Sequence, residues 1–343
     1  MKLHRKKKFW IPLVIILFLA VLRIIAPSVI LKKINAELKD ASPTLTGHVA
    51  DLDLKIIFGS AELEGITASI KESEKDFLKV ESVKGALNLT ELLKGNIEAS
   101  AIIKKADLTY SSGLMEAVKK HVASQPKEDK PLPDIRISRV DLKDSIVRLE
   151  PYPSLTKAGG IVISDIDARA TNLIPQEKLD TTLFSMQGKL LKSGDVKING
   201  AAKIETKPLA WSIDSEILHF DLTTLNQFLR KKVPLTFTRG QLDFFAEAKS
   251  EDGKVSGYLK PFVENLDVIK GEEDFKNTRH WIFEIISALG NIVMQEEEVA
   301  ATRVPFVYED KLQAETGESI GNAFEHSFIQ EISRGIENTI ELE

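Results

Sequence analysis

The sequence contains no cysteine among its 343 residues. This absence excludes disulfides, cysteine-ligated zinc, iron–sulfur clusters and a cysteine nucleophile. The six histidines are scattered, and none lies at metal-ligand spacing from another. The chain also lacks an HExxH motif, a Walker phosphate loop and the GxGxxG pattern of dinucleotide sites. We therefore expect neither a metal nor a cofactor.

One short motif resembles the nucleophile elbow of serine hydrolases. Gly317 to Gly321 fit the pattern G-x-S-x-G around Ser319. An elbow requires a buried strand before the serine, yet the preceding stretch is polar, and only 24 residues follow Ser319. The preferred interpretation is that Thr316 or Ser319 caps the last helix. We predict that the protein is not an enzyme and keep an anchored hydrolase only as an alternative.

Acidic residues outnumber basic residues outside the first residues of the chain. The formal net charge is −5, although the first eight residues are strongly basic. The remainder is therefore more acidic than the total indicates. Nucleic-acid binding depends on basic surface, so we expect no nucleic acid as a partner.

The sequence has no convincing reactive motif, and its most informative feature is an apolar N-terminal stretch. An apolar run from Phe9 to Leu22 is interrupted by Arg23 and resumes to Leu31. This length approaches the roughly 20 apolar residues that span a bilayer. We predict a transmembrane helix over 9–27. Its anchoring residues are Phe9, Trp10, Leu17 and Leu22.

The basic residues before this span set its predicted orientation. They are Lys2, Arg5, Lys6, Lys7 and Lys8. Positive charge favours the cytoplasmic side, so the rest of the chain lies on the other side. A cleavable signal peptide is the competing interpretation, but the apolar run is too long and no clear cleavage site ends it.

Most of the remaining chain shows the two-residue alternation of half-buried strands. Clear examples are Leu52 to Phe58, Ile97 to Ile103, Val196 to Ile204 and Leu242 to Ala248. The alternation slips by one residue near Gly65, which indicates a bulge or a bend. These patterns predict about a dozen strands that follow each other through short turns.

Turn and cap residues refine this prediction. Ser193-Gly194-Asp195 and Glu251-Asp252-Gly253 indicate two hairpins. Asp221 is placed to cap a short helix, and Leu114 to Val118 suggest another that ends near His121. From Glu272 onward the apolar spacing becomes helical. In the final predicted helix the apolar residues are Ile320, Phe324, Phe328, Ile332 and Ile336.

The predicted organisation follows from these elements. It comprises a cytoplasmic basic segment (1–8), the transmembrane helix (9–27), a first β-rich part (28–125), a proline-rich linker or loop (126–133), a second β-rich part (134–270) and a C-terminal helical part (271–343). The fold class is mainly β, with an antiparallel sheet and a few helices.

One face of such a sheet is apolar and must be covered. Another sheet, closure into a barrel or a ligand held in a trough all satisfy this requirement. Periodicity does not distinguish among the three. The candidate lining residues of a lipid groove are Leu52, Leu54, Ile56, Ile97, Ile103, Val196, Ile198, Ile204, Leu242 and Phe244.

Several phrases resemble the AsmA-like family of bacterial envelope proteins. The opening LKKINAELKD leads into GHVADLDLKIIFGSAELEGITASI, and the family-typical L-x-x-G-x-I follows at Leu93 to Ile97. Later stretches, including Gly240 to Asp243 and Gly257 to Pro261, are similar to a smaller uncharacterised branch, a domain of unknown function related to AsmA and TamB. The resemblance spans nearly the whole chain.

The resemblance implies an inner-membrane protein whose body projects into the periplasm as a curled, grooved antiparallel β-sheet. It also implies a part in phospholipid handling or outer-membrane homeostasis, with membrane phospholipid as the partner. The alternative is a structural or interaction module that binds an envelope protein and assists its assembly. This chain is much shorter than the bridge-like relatives, so spanning the envelope would need a partner or an oligomer.

Overall fold

A computed structural model describes ten segments of the chain. They are residues 26–55, 58–124, 135–150, 160–174, 181–203, 208–229, 235–270, 299–301, 304–309 and 334–340. The chain divides into two compact units, unit 1 from Met1 to Lys143 and unit 2 from Asp144 to Glu343. Each unit is described by itself.

Unit 1 consists of an antiparallel sheet and helices. In chain order it contains α1 (26–40), β1 (Leu45–Lys55), β2 (Ser60–Ile70), β3 (Lys75–Leu87), α2 (Leu89–Leu93), β4 (Ile97–Tyr110) and α3 (Ser112–Ser124). Each strand pairs with the next one along the chain. Strand β5 (Ile135–Leu149) carries the boundary between the units.

Unit 2 continues in the same meandering manner. Its further elements are β6 (Ile161–Ile174), β7 (Thr182–Leu190), β8 (Gly194–Lys203), β9 (Ala210–Asp221), a 3-10 turn (Leu222–Leu225), α4 (Asn226–Leu229), β10 (Leu235–Glu251), β11 (Lys254–Lys270), β12 (Val299–Ala301) and β13 (Val304–Glu309). Strands β6 to β11 pair in chain order, and β12 and β13 both pair with β11. The mainly β, antiparallel fold with few helices is therefore confirmed.

Both predicted hairpins are present. Asp252 and Gly253 form the turn between β10 and β11 with φ angles of 50° and 79°. Two successive positive φ angles match the right-handed twist of the strands that the turn connects. The β7–β8 turn consists of residues 191–193, and Gly194 already belongs to β8, so the predicted turn lies slightly too far along the chain.

The predicted irregularity at Gly65 is a left-handed residue inside β2, with φ 61°. Its neighbour across the β1–β2 register is Ala50, and the pairing continues unchanged on both sides. Val49 and Leu52 of β1 are both buried, although residues three apart normally face opposite sides of a strand. Lys105 of β4 has a similar φ of 49°.

In each unit, an asparagine side chain on a helix forms a pair of hydrogen bonds with the backbone of a strand. The Asn35 amide of α1 donates to the Val49 carbonyl at 2.9 Å, and its oxygen accepts from the Val49 N–H at 2.7 Å. Asn226 binds Phe237 in the same way, at 2.7 and 2.8 Å. A side-chain amide therefore takes the place of a neighbouring strand and satisfies backbone groups that burial would otherwise leave unpaired.

The short helical stretch of unit 2 covers one end of its sheet. Asp221 caps it as predicted, because its carboxylate accepts the Thr223 N–H at 2.9 Å. Leu222 is buried in a cluster with three apolar residues of the neighbouring strands. These residues are Phe220, Phe237 and Val263. The cap thus directs Leu222 onto the apolar side of β9 and β10.

Two predictions for the helices need correction. The predicted C-terminal helical part contains β12 and β13, because residues that pair with β11 add two short strands there. Ile336 was placed on the last helix, but the described residues 334–340 form a non-helical segment. The other residues of the two predicted C-terminal helices lie outside the described segments. Among the described residues, α1 ends at residue 40, so the first β-rich part begins with a helix.

The predicted membrane span lies outside the described residues except for its last two positions. This applies to all its anchoring and topology-setting residues, which are Phe9, Trp10, Leu17, Leu22, Lys2, Arg5, Lys6, Lys7 and Lys8. Within the described part of the chain, no helix combines the length and the apolar character that crossing a membrane requires. The transmembrane helix stays a prediction.

Candidate functional site: the two faces of the unit 2 sheet

The strand register of unit 2 assembles a continuous apolar face. Residues directly opposite each other in an antiparallel sheet share a face, so successive partners form a row across the strands. One row consists of Met186, Ile198, Ser215, Ala246 and Leu259. The rows on either side are Phe184, Gly200, Ile213, Ala248 and Gly257, and Gly188, Val196, Ile217, Phe244 and Pro261.

Most of this face is half-buried rather than enclosed. Ile198, Phe244 and Leu259 keep intermediate exposure, whereas Val196 is only 7% exposed. The 3-10 turn and α4 cover the face only around the Phe220 cluster, at one end. The central rows therefore offer apolar surface along five strands.

Phe184 and Gly200 shape this face. A Cβ atom built on Gly200 would lie 2.2 Å from the Phe184 ring and 2.6 Å from the Ser212 carbonyl oxygen. The far end of the ring therefore occupies the space that a side chain at position 200 would need. Any larger residue at this position would displace the ring.

The candidate groove residues fall into separate groups. Val196, Ile198, Leu242 and Phe244 share the apolar face of unit 2. In unit 1, Leu52 and Ile103 belong to one row through Leu63 and Val83, and Leu54 belongs to the adjacent row.

The remaining candidates do not join these groups. Ile97 is 40% exposed at the start of β4, before the first residue of that strand that pairs with β3. Ile56 and Ile204 lie outside the described residues.

The opposite face of β10 and β11 differs from what the alternation suggests. It carries Asp243 and Glu247 on β10 and Tyr258 and Lys260 on β11, and all four residues are at most 3% exposed. The segment 334–340 lies against them. The alternation predicts that this face contacts solvent. Residues 334–340 cover it instead, because its charged side chains bind them.

Glu247 is the centre of this contact. One carboxylate oxygen accepts the backbone N–H groups of Glu337 at 2.7 Å and Asn338 at 2.6 Å. The other oxygen accepts those of Thr339 at 3.0 Å and Ile340 at 3.1 Å. Tyr258 also donates its hydroxyl to this carboxylate. Successive N–H groups that converge on one anion form a backbone nest, and the positive φ of Asn338, 53°, helps to make it.

Two cations complete the contact. The fully buried Lys260 ammonium donates to Glu337 at 3.1 Å. Arg334 binds the buried Asp243 carboxylate at 2.5 Å and Glu264 at 2.9 Å. Its guanidinium also lies 5.9 Å from the Phe262 ring centre. Each buried charge in this set thus has a partner of opposite sign or a hydrogen bond.

The pKa of Glu247 reflects two opposed effects. Burial raises it, but the Tyr258 hydroxyl and the backbone N–H groups of residues 337–339 outweigh burial and hold it below the usual range. The same burial, together with the Glu247 carboxylate, raises the pKa of Tyr258. At neutral pH the pair is therefore a carboxylate and a neutral phenol, the states that these hydrogen bonds require.

A shallow depression of about 350 Å³ lies on the polar side of β7 to β9. Its charged residues include Lys189 and Asp195, which pair at 2.5 Å, and Glu216. This pair lowers the pKa of Asp195, mainly through the hydrogen bond from Lys189. The charges of the depression largely offset each other, so it does not select an ion of one sign.

Sequence reasoning missed Glu247, Tyr258, Lys260 and Arg334. The hairpin register alone makes Glu247 and Tyr258 direct neighbours, and this pair was predictable from the Asp252-Gly253 turn. The contact with residues 337–340 was not, because it joins positions about 90 residues apart in sequence.

In the described part of the chain, no three histidine, aspartate or glutamate side chains are arranged to hold a metal ion. Ser319 of the hydrolase alternative lies outside that part. No protein-family model matches the sequence, and no curated protein matches it either.

Proposed function

We propose that the protein is a non-enzymatic, membrane-anchored protein that holds the acyl chains of phospholipid against the apolar face of its sheet. The observation that carries this proposal is the set of apolar rows that run across β7 to β11 with intermediate exposure. Contiguous accessible apolar surface of this kind marks interaction sites. Burial of acyl methylenes provides the driving force, at about 0.8 kcal/mol each.

The proposal includes the location expected from the sequence. The N-terminal span anchors the chain in the inner membrane, and the body lies in the periplasm. The resemblance to AsmA-like proteins supports this placement and stays a prediction, since no family model matches. The groove needs neither a cofactor nor a catalytic residue.

Lipid extraction of the purified full chain tests the groove. We expect phospholipid to co-purify at about one molecule or more per chain, measured by mass spectrometry. Ile198→Asp places a carboxylate in the central apolar row, where burying an unpaired charge is costly. This variant should lose the lipid.

Asn199→Asp is the matched control. It introduces the same carboxylate one residue further along β8, on the exposed polar face, and should retain the lipid. Ala246→Trp fills the same row as Ile198 with an apolar side chain, so it blocks the groove without adding charge. Equal lipid content in all three variants would overturn the groove, and a lipid-free native chain would favour the envelope-protein module.

A further inference from the structure

A second apolar surface lies at one end of unit 1. Six large apolar side chains there are exposed, and we call them the apolar end: Phe58, Leu87, Leu89, Leu92, Leu93 and Ile97. Phe58 is 72% exposed and Leu93 is 91% exposed. Removal of such side chains from water is favourable, and the groove proposed for unit 2 does not account for them.

Two connections between strands form this surface. Phe58 lies in the β1–β2 connection, and α2 lies in the β3–β4 connection. In an antiparallel meander these two connections lie at the same end of the sheet. Leu87 donates its N–H to the Gly59 carbonyl at 2.8 Å. A Cβ atom on Gly59 would lie 2.7 Å from the Leu89 side chain, so the two connections are in contact.

Helix α1 points its first turn toward the apolar end. Asn35 binds the backbone of Val49 on β1. Three residues later, the Leu38 side chain lies 3.5 Å from the place that a Cβ atom on Gly47 would occupy. Positions along the helix therefore advance as positions along the strand decrease, and α1 runs antiparallel to β1. Its N-terminus is directed toward the end of β1, where the β1–β2 connection begins.

The packing of α1 agrees with this direction. One stripe of side chains at helical spacing is half-buried along the helix, and it consists of Pro27, Leu31, Ile34 and Leu38. The stripe reaches the first turn, so the contact of α1 with the rest of the structure is not confined to Asn35. Val29 lies on the opposite side of the helix and is 60% exposed.

Lengths along the two elements place the start of α1 near the apolar end. From Asn35 back to Ala26 the helix covers roughly 14 Å, and from Val49 to Lys55 the strand covers roughly 20 Å. Helix α1 therefore begins beside the second half of β1. The residues just before it carry the apolar run of the predicted membrane span, so that span joins unit 1 at the end where the apolar side chains are exposed.

This connection identifies what covers the apolar end. A membrane span brings a bilayer to whichever end of unit 1 it joins, and no further molecule has to be supplied. Apolar side chains that enter the boundary between headgroups and acyl chains add to the attachment that the span provides. The bilayer of the span is therefore the nearest apolar medium for these side chains.

The polar groups of α2 already have partners within unit 1. Asn88 caps the helix by accepting the N–H groups of Thr90 and Glu91. Glu91 accepts from Lys94 at 2.7 Å and from Asn96 at 3.0 Å. Entry of α2 into the headgroup layer thus leaves these groups hydrogen-bonded, which limits the cost of removing them from water.

We propose that the apolar end of unit 1 inserts shallowly into the surface of the same membrane that the N-terminal span crosses. This inference rests on the span of the proposed function and does not depend on the groove. The span and the apolar end then form two attachments to one bilayer. Together they hold the β1–β2 and β3–β4 connections toward the membrane and the β2–β3 turn away from it.

The absence of cysteine makes the test direct. Leu93→Cys gives the full chain a single thiol, which carries an environment-sensitive fluorophore in nanodisc-embedded protein. Nanodiscs of equal parts phosphatidylethanolamine and phosphatidylglycerol are prepared with and without brominated phospholipid. We expect blue-shifted emission and strong quenching by bromine at position 93. The same label at Ser73→Cys, in the exposed β2–β3 turn at the other end of the strands, should show neither.

A charged substitution provides a second measurement, with the label moved to Phe58→Cys. Leu93→Asp replaces a favourable burial by a charge, so the ratio of inserted to withdrawn chains should fall about tenfold or more. Quenching at position 58 should fall with it. Leu93 is 91% exposed, so the substitution removes little packing and the melting temperature should not change. Ser73→Asp is the matched control and should leave quenching at position 58 unchanged.

The outcomes separate this inference from the span and from the groove. A chain that does not enter nanodiscs would overturn both the predicted span and the insertion. A chain that enters nanodiscs without quenching at position 93, or with equal quenching at position 73, would overturn the insertion alone. A blue shift without bromine quenching would also overturn it and would assign the apolar end to a protein surface, either residues 9–25 or a second copy. The lipid content of the groove should be the same in all these variants.

Discussion

Composition predicts that the apolar face of strand β10 is buried and that its polar face is exposed. The structure shows the opposite. Leu242, Phe244 and Ala246 form an apolar side that stays half-exposed. Asp243 and Glu247 form a polar side that is buried under residues 334–340. Alternation states which residues share a face, but it does not state which face the rest of the chain covers.

The difference has a physical origin in what each face binds. The polar side binds one defined segment through directed hydrogen bonds, because a carboxylate satisfies several N–H groups at once. Among the residues that the structure describes, a short helical stretch covers the apolar side at one end only. Non-directional burial places no limit on what covers the remainder. A specific internal contact and an adaptable surface therefore lie back to back on a single hairpin.

Removal of the Glu247 carboxylate should have the largest effect. Glu247→Ala leaves four backbone N–H groups and the Tyr258 hydroxyl without their acceptor. We expect the free energy of unfolding to fall by about 3–5 kcal/mol, as for the loss of one partner from a buried charge network. Urea denaturation measures this change, and hydrogen exchange should show the N–H groups of 337–340 losing protection.

Glu251→Ala is the control for this variant. Glu251 is on the same strand, and its ion pair with Lys249 at 2.9 Å stays in partial contact with solvent, with the two side chains 35% and 27% exposed. Exposed pairs contribute at most about 1 kcal/mol, so the loss should be small. Similar losses for the two variants would show that the 334–340 contact does not stabilise unit 2.

The apolar side should respond next most strongly at Gly200. Gly200→Ala pushes a methyl group into the Phe184 ring and the Ser212 carbonyl, and overpacking of this kind costs about 1–3 kcal/mol. Gly85→Ala in β3 is the matched control, because its Cβ would have only one neighbour, at 4.0 Å. A stable Gly200→Ala variant with unchanged thermal unfolding would mean that Phe184 moves freely, as an open face allows.

Local signals account for what the sequence predicted correctly. Asp252-Gly253 sets the β10–β11 register, Asp221 caps a helix, and the slip near Gly65 corresponds to a residue with positive φ. Each involves residues that are close in sequence or directly paired. The register then fixes which of the candidate residues share a face.

The contacts that were not predicted join distant parts of the chain. Glu247 and Asn338 lie 91 positions apart, and Arg334 and Asp243 are equally far apart. A charged residue that alternates with alanines looks solvent-facing until its distant partner is known. Strands β12 and β13 were missed for a related reason, since their pairing with β11 is not evident from runs of three and six residues.

A third variant tests how the apolar side is closed at its end. Asn226→Ala removes the paired hydrogen bonds to the Phe237 backbone and should lower the free energy of unfolding by about 1–2 kcal/mol, because a buried N–H and C=O lose their partners. Asn199→Ala, on the exposed side of β8, should change it by less than about 0.5 kcal/mol. Equal results would show that the helix is held by Leu222 alone.

Lowering the pH should produce the smallest of these effects, and it should act on the polar side of β10 alone. The pKa of Glu247 is lower in the folded chain than its ordinary value, so the unfolded state binds the proton more tightly. The stabilisation from its ionised form is therefore complete above the ordinary glutamate range and is lost as the pH falls through the folded pKa. We expect hydrogen-exchange protection of residues 337–340 to decline over that interval in the native chain. Glu247→Gln should remove this pH dependence, while lipid content, set by the apolar side, stays constant over the same range. A native chain whose 337–340 protection does not change with acid would show that the carboxylate charge is not what holds the segment.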